Sequence, residues 1–131
     1  MKTKTIFIIL GVLFVLGYTG GVWGEAWYLE TGNSYFHLIG GFFIALLVAS
    51  YYASEFGKLS QPFRLFALLG IVMGIGVLWE FHEFALGRLI GISLQGDLAD
   101  TIKDLFLDTL GGLIAALIPL EVVTTHEKNK S

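Results

Sequence analysis

The sequence predicts an all-α membrane protein, with four transmembrane helices packed in one bundle and both termini in the cytoplasm. Apolar residues make up 55% of the 131 residues, charged residues only 15%, and the mean hydropathy is +0.75. A soluble domain would be nearer a quarter charged. Four apolar stretches each approach the roughly 20 residues that cross a bilayer as a helix. Because lipid offers backbone polar groups no partners, we expect helices, and residues 1–131 as one integral membrane domain.

The predicted helices cover about residues 5–23, 35–53, 65–84 and 100–123. Lys2 and Lys4, ahead of the first apolar stretch, also resemble the start of a signal peptide, but no clean cleavage site follows. We therefore expect the first helix to be retained. Pro62 stands just before the third stretch, at a position that the start of a helix tolerates.

Basic residues determine the predicted orientation, because cytoplasmic loops are enriched in lysine and arginine. Only Arg88 and Lys103 would lie on the outer side of the membrane. The others would share the inner side: Lys2, Lys4, Lys58, Arg64, Lys128 and Lys130. The pattern therefore predicts that the second and fourth helices begin, and the third helix ends, at the outer side.

Composition also narrows the possible chemistry and partners. The chain has no cysteine, which excludes thiolate metal sites, thiol catalysis and disulfides. A net charge of -3 without a basic patch argues against nucleic acid as a partner. We expect membrane lipids as partners. Glycines four residues apart, such as Gly70 and Gly74, could also join copies of the chain into a homo-oligomer through Gly-rich helix faces.

The predicted topology gathers polar side chains at the outer end of the bundle. Asp97 and Asp100 are expected to cap and orient the last helix, since a helix amino terminus favours acidic residues. Asp108 lies two turns further in, where a carboxylate normally faces the bundle interior and needs a partner. The predicted site comprises His37, Glu80, Glu83, Asp104 and Asp108.

All five residues are candidate metal ligands, and Glu80, Glu83 and Asp108 are also candidate catalytic groups. Four clustered carboxylates would repel one another unless some are protonated or a cation neutralises them. Oxygen ligands with one imidazole suit Mg²⁺, Mn²⁺, Ca²⁺ or Zn²⁺, and the sequence does not choose among these. The stretch "WEFHEF" is not the His-Glu-x-x-His zinc signature, because no second histidine follows His82.

Three classes of function are compatible with this pattern. A divalent metal at the outer side could support a metal-dependent membrane hydrolase acting on a lipid or lipid-linked substrate. The acidic site could instead clamp the bundle or bind a partner protein. Intramembrane carboxylates also mark cation and proton pathways, but the inner halves of helices two to four lack polar residues that a transporter would need.

The motifs of this sequence are similar to those of two families. The stretch "LQGDLADTIKDLFLDTLGG" resembles the late motif of YjdF-like bacterial inner-membrane proteins, and "WEFHEF" and "HLIGG" resemble two of their helix elements. The matching positions are Gln95, Gly96, Asp97, Asp100, Thr101, Asp104, Gly111 and Gly112, with Trp79, Glu80 and Glu83. A weaker similarity to VanZ-like membrane proteins rests on Asp104, Asp108 and Gly111. The resemblance implies a multi-pass protein of the bacterial inner membrane without naming a reaction.

Overall fold

The structure, a computed structural model, describes residues 3–22, 32–91 and 94–119. These residues form helices and turns without any strand, which confirms the all-α prediction. Five helices follow one another along the chain: α1 (Thr3–Val22), α2 (Asn33–Tyr51), α3 (Ala53–Phe56), α4 (Gln61–Ile90) and α5 (Leu98–Ala116). The predicted helix ends at Trp23 and Val123 lie outside the described residues.

Three of the four predicted membrane spans are confirmed by length and composition. The apolar spans are Thr3–Gly20, Asn33–Tyr51 and Gln61–Ile90. The fourth prediction is not supported, although its helix is present as α5. The physical reason is charge, because α5 is 19 residues long and carries Asp100, Lys103, Asp104 and Asp108. The side of the membrane on which each terminus lies is likewise not established.

Helix α4 is longer than its predicted span of 65–84. It begins with Pro62 in its first turn, where a missing N–H costs no helical hydrogen bond. It ends at Gly91, whose φ of 75° lies in the left-handed region and whose N–H donates to the Gly87 carbonyl. Its 30 residues extend about 45 Å, more than the roughly 30 Å of a hydrocarbon core. Part of the predicted connector after Phe84 is therefore helical.

Helices α2 and α5 form the most extensive pair in the described part of the chain. Glycine makes this close approach possible, because a Cβ at Gly41 would overlap the Asp108 backbone and one at Gly111 would overlap the backbone of α2. By contrast, a Cβ at Gly70 or Gly74 would meet no atom within 4 Å. These two glycines therefore face away from the other described helices, and their role in an oligomer stays a prediction.

The bundle has an apolar end and a polar end. In the described helices, the buried apolar side chains come from the second half of α2, the first half of α4 and the last turn of α5. They are joined by Ile6 and Phe56, and the full set is Ile6, Ala45, Leu46, Val48, Phe56, Leu68, Val72 and Ala115. The opposite end of the same three helices carries buried polar residues instead.

Candidate metal centre

Six polar side chains are buried at the polar end, and all five residues of the predicted site are among them. They are Asn33, His37, Glu80, Glu83, Asp104 and Asp108. Helix α2 supplies two of them, α4 two and α5 two. Asp104 is only 1% exposed. Because burying a carboxylate costs free energy unless it is paired, the contacts of each group decide what the cluster can do.

His37 is fixed from one side by Asp108. Its Nδ1 lies 3.1 Å from Asp108 Oδ2, a distance and partner typical of an Nδ1–H donating to a carboxylate. In that tautomer the lone pair of Nε2 points away from Asp108. Nε2 lies 3.6 Å from Asp104 Oδ2 and 3.7 Å from Glu80 Oε1, which is too long for hydrogen bonds.

Among the described residues, three buried side-chain atoms have no hydrogen-bond partner: His37 Nε2, Glu80 Oε1 and Asp104 Oδ1, although the Lys103 ammonium lies 3.9 Å from Asp104 Oδ1. One ligand atom from each of these residues lies within 4.8 Å of the other two. Ligand atoms held about 2.0–2.2 Å from a tetrahedral metal ion lie roughly 3.4 Å apart, close to the 3.7 Å and 3.6 Å that separate His37 Nε2 from Glu80 Oε1 and Asp104 Oδ2. A cation between the three residues would satisfy all of them and offset the mutual repulsion of the carboxylates.

Hydrogen bonds hold the two carboxylates of this set in place. Glu80 Oε2 accepts from Thr101 Oγ1 at 2.8 Å and from Gln95 Nε2 at 3.0 Å. Asp104 Oδ2 accepts from Asn33 Nδ2 at 2.8 Å. Each carboxylate therefore has one oxygen anchored by neutral donors and its other oxygen without a hydrogen bond. Such outer partners orient metal ligands in proteins.

Glu83 and Asp108, the other two predicted ligands, lie beside this set. Glu83 Oε1 accepts from Trp79 Nε1 at 3.0 Å. Asp108 contacts the Nδ1 side of the His37 ring, away from Nε2. The metal-binding and catalytic roles of all five predicted residues stay predictions, and only His37, Glu80 and Asp104 each offer a ligand atom within 4.8 Å of the other two in the described part of the chain.

Four residues donate hydrogen bonds to the cluster that were not predicted from the sequence: Asn33, Trp79, Gln95 and Thr101. A signal for Asn33 was available, because it stands four residues before His37 and so shares its helix face. Asp97 behaves as predicted: it caps α5, and its Oδ1 accepts from the Asp100 N–H. His82 is exposed and packs beside the Trp79 ring, outside the cluster.

An apolar cavity of about 270 Å³ adjoins the cluster between α1, α2 and α4. Leu13 and Phe14 of α1, Ile44 of α2 and Ile75 of α4 form much of its wall. Its polar wall includes His37, with Asp108, Asn33 and Trp79. The cavity therefore reaches the buried polar cluster at His37 and Asp108.

A family model described as "Predicted membrane protein (DUF2238)" matches residues 1–124. YjdF-like proteins are this family, so the match confirms the resemblance given by the late aspartate motif and adds nothing on the VanZ-like similarity. No curated protein and no solved structure matches the chain. With nearly the whole sequence matched, and with several apolar helices in a multi-pass arrangement, the chain belongs to the DUF2238 family of predicted membrane proteins.

Proposed function

We propose that this membrane protein binds one divalent metal ion through His37, Glu80 and Asp104, and that it is a metal-dependent hydrolase of a lipid or lipid-linked substrate. The observation that carries the proposal is the convergence of three buried side chains from three different helices, each of which also has one buried atom without a hydrogen bond. Leaving such groups unpaired costs about 1–3 kcal/mol each, and more when they are charged. A metal ion removes this cost.

The donor set narrows the choice of ion. One imidazole nitrogen and two carboxylates suit Zn²⁺ or Mn²⁺. Ca²⁺ takes six to eight oxygen ligands, whereas His37, Glu80 and Asp104 together offer one nitrogen and at most four carboxylate oxygens. Three protein ligands also leave a coordination position for water, as in catalytic rather than structural zinc sites.

Hydrolysis would use that open position. A metal of this kind lowers the pKa of bound water to about 7 and so supplies hydroxide near neutral pH. Glu83 lies one turn from Glu80 on α4 and outside the ligand set. We assign it to accept the proton released by water. Attack of the water oxygen on the acyl or phosphoryl centre would break the bond to the leaving oxygen, and Glu83 would return the proton to that oxygen.

The proposal includes the topology that the basic residues predict. Helix α5 packs against α2 and α4, which lie within the membrane, and its buried aspartates face these neighbours. We therefore place α5 as the fourth membrane element, both termini in the cytoplasm and the cluster near the outer face of a bacterial inner membrane.

Single cysteines test this orientation, because the chain has none of its own. On intact cells, an impermeant maleimide should label Asp97→Cys, while Lys58→Cys should react only after the membrane is opened. The reverse pattern would contradict the orientation and move the cluster to the cytoplasmic side.

The first experiment on function is elemental analysis of detergent-purified protein, with His37→Ala and Asp104→Ala as site variants. Asp97→Asn is the matched control, because asparagine also caps helices well and the residue lies outside the ligand set. We expect about one divalent ion per chain in the parent and the control, and little in the site variants. Metal-free parent protein after incubation with Zn²⁺ or Mn²⁺ would refute the site.

The near-complete burial of Asp104 favours a second candidate function, a metal clamp that only stabilises the bundle. An assay of metal-loaded protein against lipid phosphoesters and carboxylic esters distinguishes the hydrolase from the clamp. Hydrolysis lost in Glu83→Gln, with metal content retained, supports the enzyme. Metal that raises the melting temperature without any hydrolysis supports the clamp.

A further inference from the structure

We propose that the apolar cavity beside the metal centre binds one hydrocarbon chain of a bilayer lipid, which makes a lipid with a long alkyl or acyl chain the substrate class. The assignment of substrate class rests on the proposed hydrolase function. The binding of a chain does not, because it follows from the shape, lining and position of the cavity.

The cavity has the dimensions of a slot for one chain. Along α2 its lining runs from Asn33 to Ile44, which is about 16 Å of helix. A volume of about 270 Å³ over that length is narrow. It is nearly twice the roughly 150 Å³ of a protein cavity that holds benzene, so by volume it has room for about ten chain carbons.

Its lining favours hydrocarbon over water. A buried water needs two to four polar partners, and only the part of the slot next to His37 and Asp108 has polar groups in its wall. Leu10 and Leu13 of α1 and Ile75 of α4 offer none. Apart from Asp108 of α5, the lining belongs to helices that are apolar enough to span a membrane, so the nearest apolar molecules would be the chains of the surrounding lipids.

The two ends of the slot differ, and this gives a bound chain a direction. His37 lies about one turn from the Asn33 end of the slot, and Ile44, at the other end, lies about two turns beyond His37 along α2. A chain inserted towards Ile44 would leave the polar part of its lipid beside His37. There it would lie on the Asp108 side of the His37 ring, because Glu80 and Asp104 do not line the cavity.

Gly40 offers a way to fill the slot without disturbing the metal centre. It lines the cavity, and a Cβ there would meet no atom within 4 Å. A leucine at this position would therefore occupy the space of the chain. Gly74→Leu is the matched control, because Gly74 is equally unobstructed but faces away from the cavity.

The test uses vesicles of phosphatidylcholine with bromine atoms on its acyl chains, which quench tryptophan fluorescence on contact. Trp79 lines the cavity, and replacing Trp23 and Trp27 by phenylalanine leaves it as the only tryptophan. We expect quenching in this background, reduced about twofold by Gly40→Leu and unchanged by Gly74→Leu. Gly40→Ala should give a smaller reduction, which keeps the series informative if the leucine variant fails to insert.

Equal quenching across the Gly40 series and the Gly74→Leu control would overturn the inference, since lipids around the bundle would then account for all contact. Metal content measured on the same samples separates the two proposals. Normal metal with no effect of Gly40 substitutions refutes the chain site alone. The expected quenching pattern in metal-free protein supports lipid binding and refutes the metal centre.

Discussion

Replacing Asp108 by asparagine tests whether Asp108 orients the His37 ring for metal binding. Asparagine has the shape of aspartate, and Asp108 is closely surrounded: a Cβ at Gly76 would already overlap its carboxylate. The change therefore preserves packing while removing the charge opposite His37 Nδ1. Without that charge, the bond that fixes the ring tautomer and directs Nε2 towards Glu80 and Asp104 becomes weaker.

The expected loss of metal affinity in Asp108→Asn follows from the position of Asp108 beside His37. As an outer partner of a histidine ligand, it should contribute about 10- to 100-fold to metal affinity, or about 1.4–2.7 kcal/mol. This agrees with the roughly 1.5–3 kcal/mol assigned to a hydrogen bond with a charged group. Removing His37 itself should cost much more, because a ligand is lost and two facing carboxylates remain.

Titration with Mn²⁺ measures this difference, because the electron paramagnetic resonance signal of free Mn²⁺ gives the bound fraction directly. Asp108→Asn is compared with His37→Ala and with Asp97→Asn, an aspartate of the same helix region outside the cluster. The control should keep the affinity of the parent, and His37→Ala should show no specific binding.

Two results would refute the reasoning. If Asp108→Asn binds Mn²⁺ as tightly as Asp97→Asn, then Asp108 does not support His37. If it binds no better than His37→Ala, then Asp108 is a ligand in its own right, as the sequence alone allowed.

Three further predictions concern the packing of α5 against α2, the hydrogen bonds that hold Glu80, and the pH dependence of metal binding. Gly111→Ala should lower the free energy of unfolding by about 1–3 kcal/mol, measured by denaturation in mixed micelles, whereas Gly70→Ala should have little effect. Thr101→Val should weaken Mn²⁺ binding about tenfold, since Glu80 Oε2 then keeps only its bond from Gln95. Acidification from about pH 8 to about pH 5 should release the metal reversibly, because protons compete for imidazole and carboxylate ligands. Affinity independent of pH would contradict this ligand set.

The sequence alone determined the class of protein and identified five of the six polar residues that are buried in the described part of the chain. Composition and apolar runs identified a helical membrane protein, and three spans are confirmed. Asp97 was recognisable as a helix cap because capping is local chemistry. The late aspartate motif also pointed to the family. The five predicted residues lie at one end of the bundle because antiparallel helices bring alternate ends together, which requires only the order of the elements.

The tertiary structure decided which of these residues face one another. Helical spacing places a side chain on a face, but it does not give the depth or crossing point of two helices. Here the contacts of Gly41 and Gly111 set how α2 meets α5, and so bring His37 between Asp104 and Asp108. The supporting bonds from Asn33, Gln95 and Thr101 depend on the same placement. A cluster joined across more than 40 residues of chain is a product of packing, which no local pattern encodes.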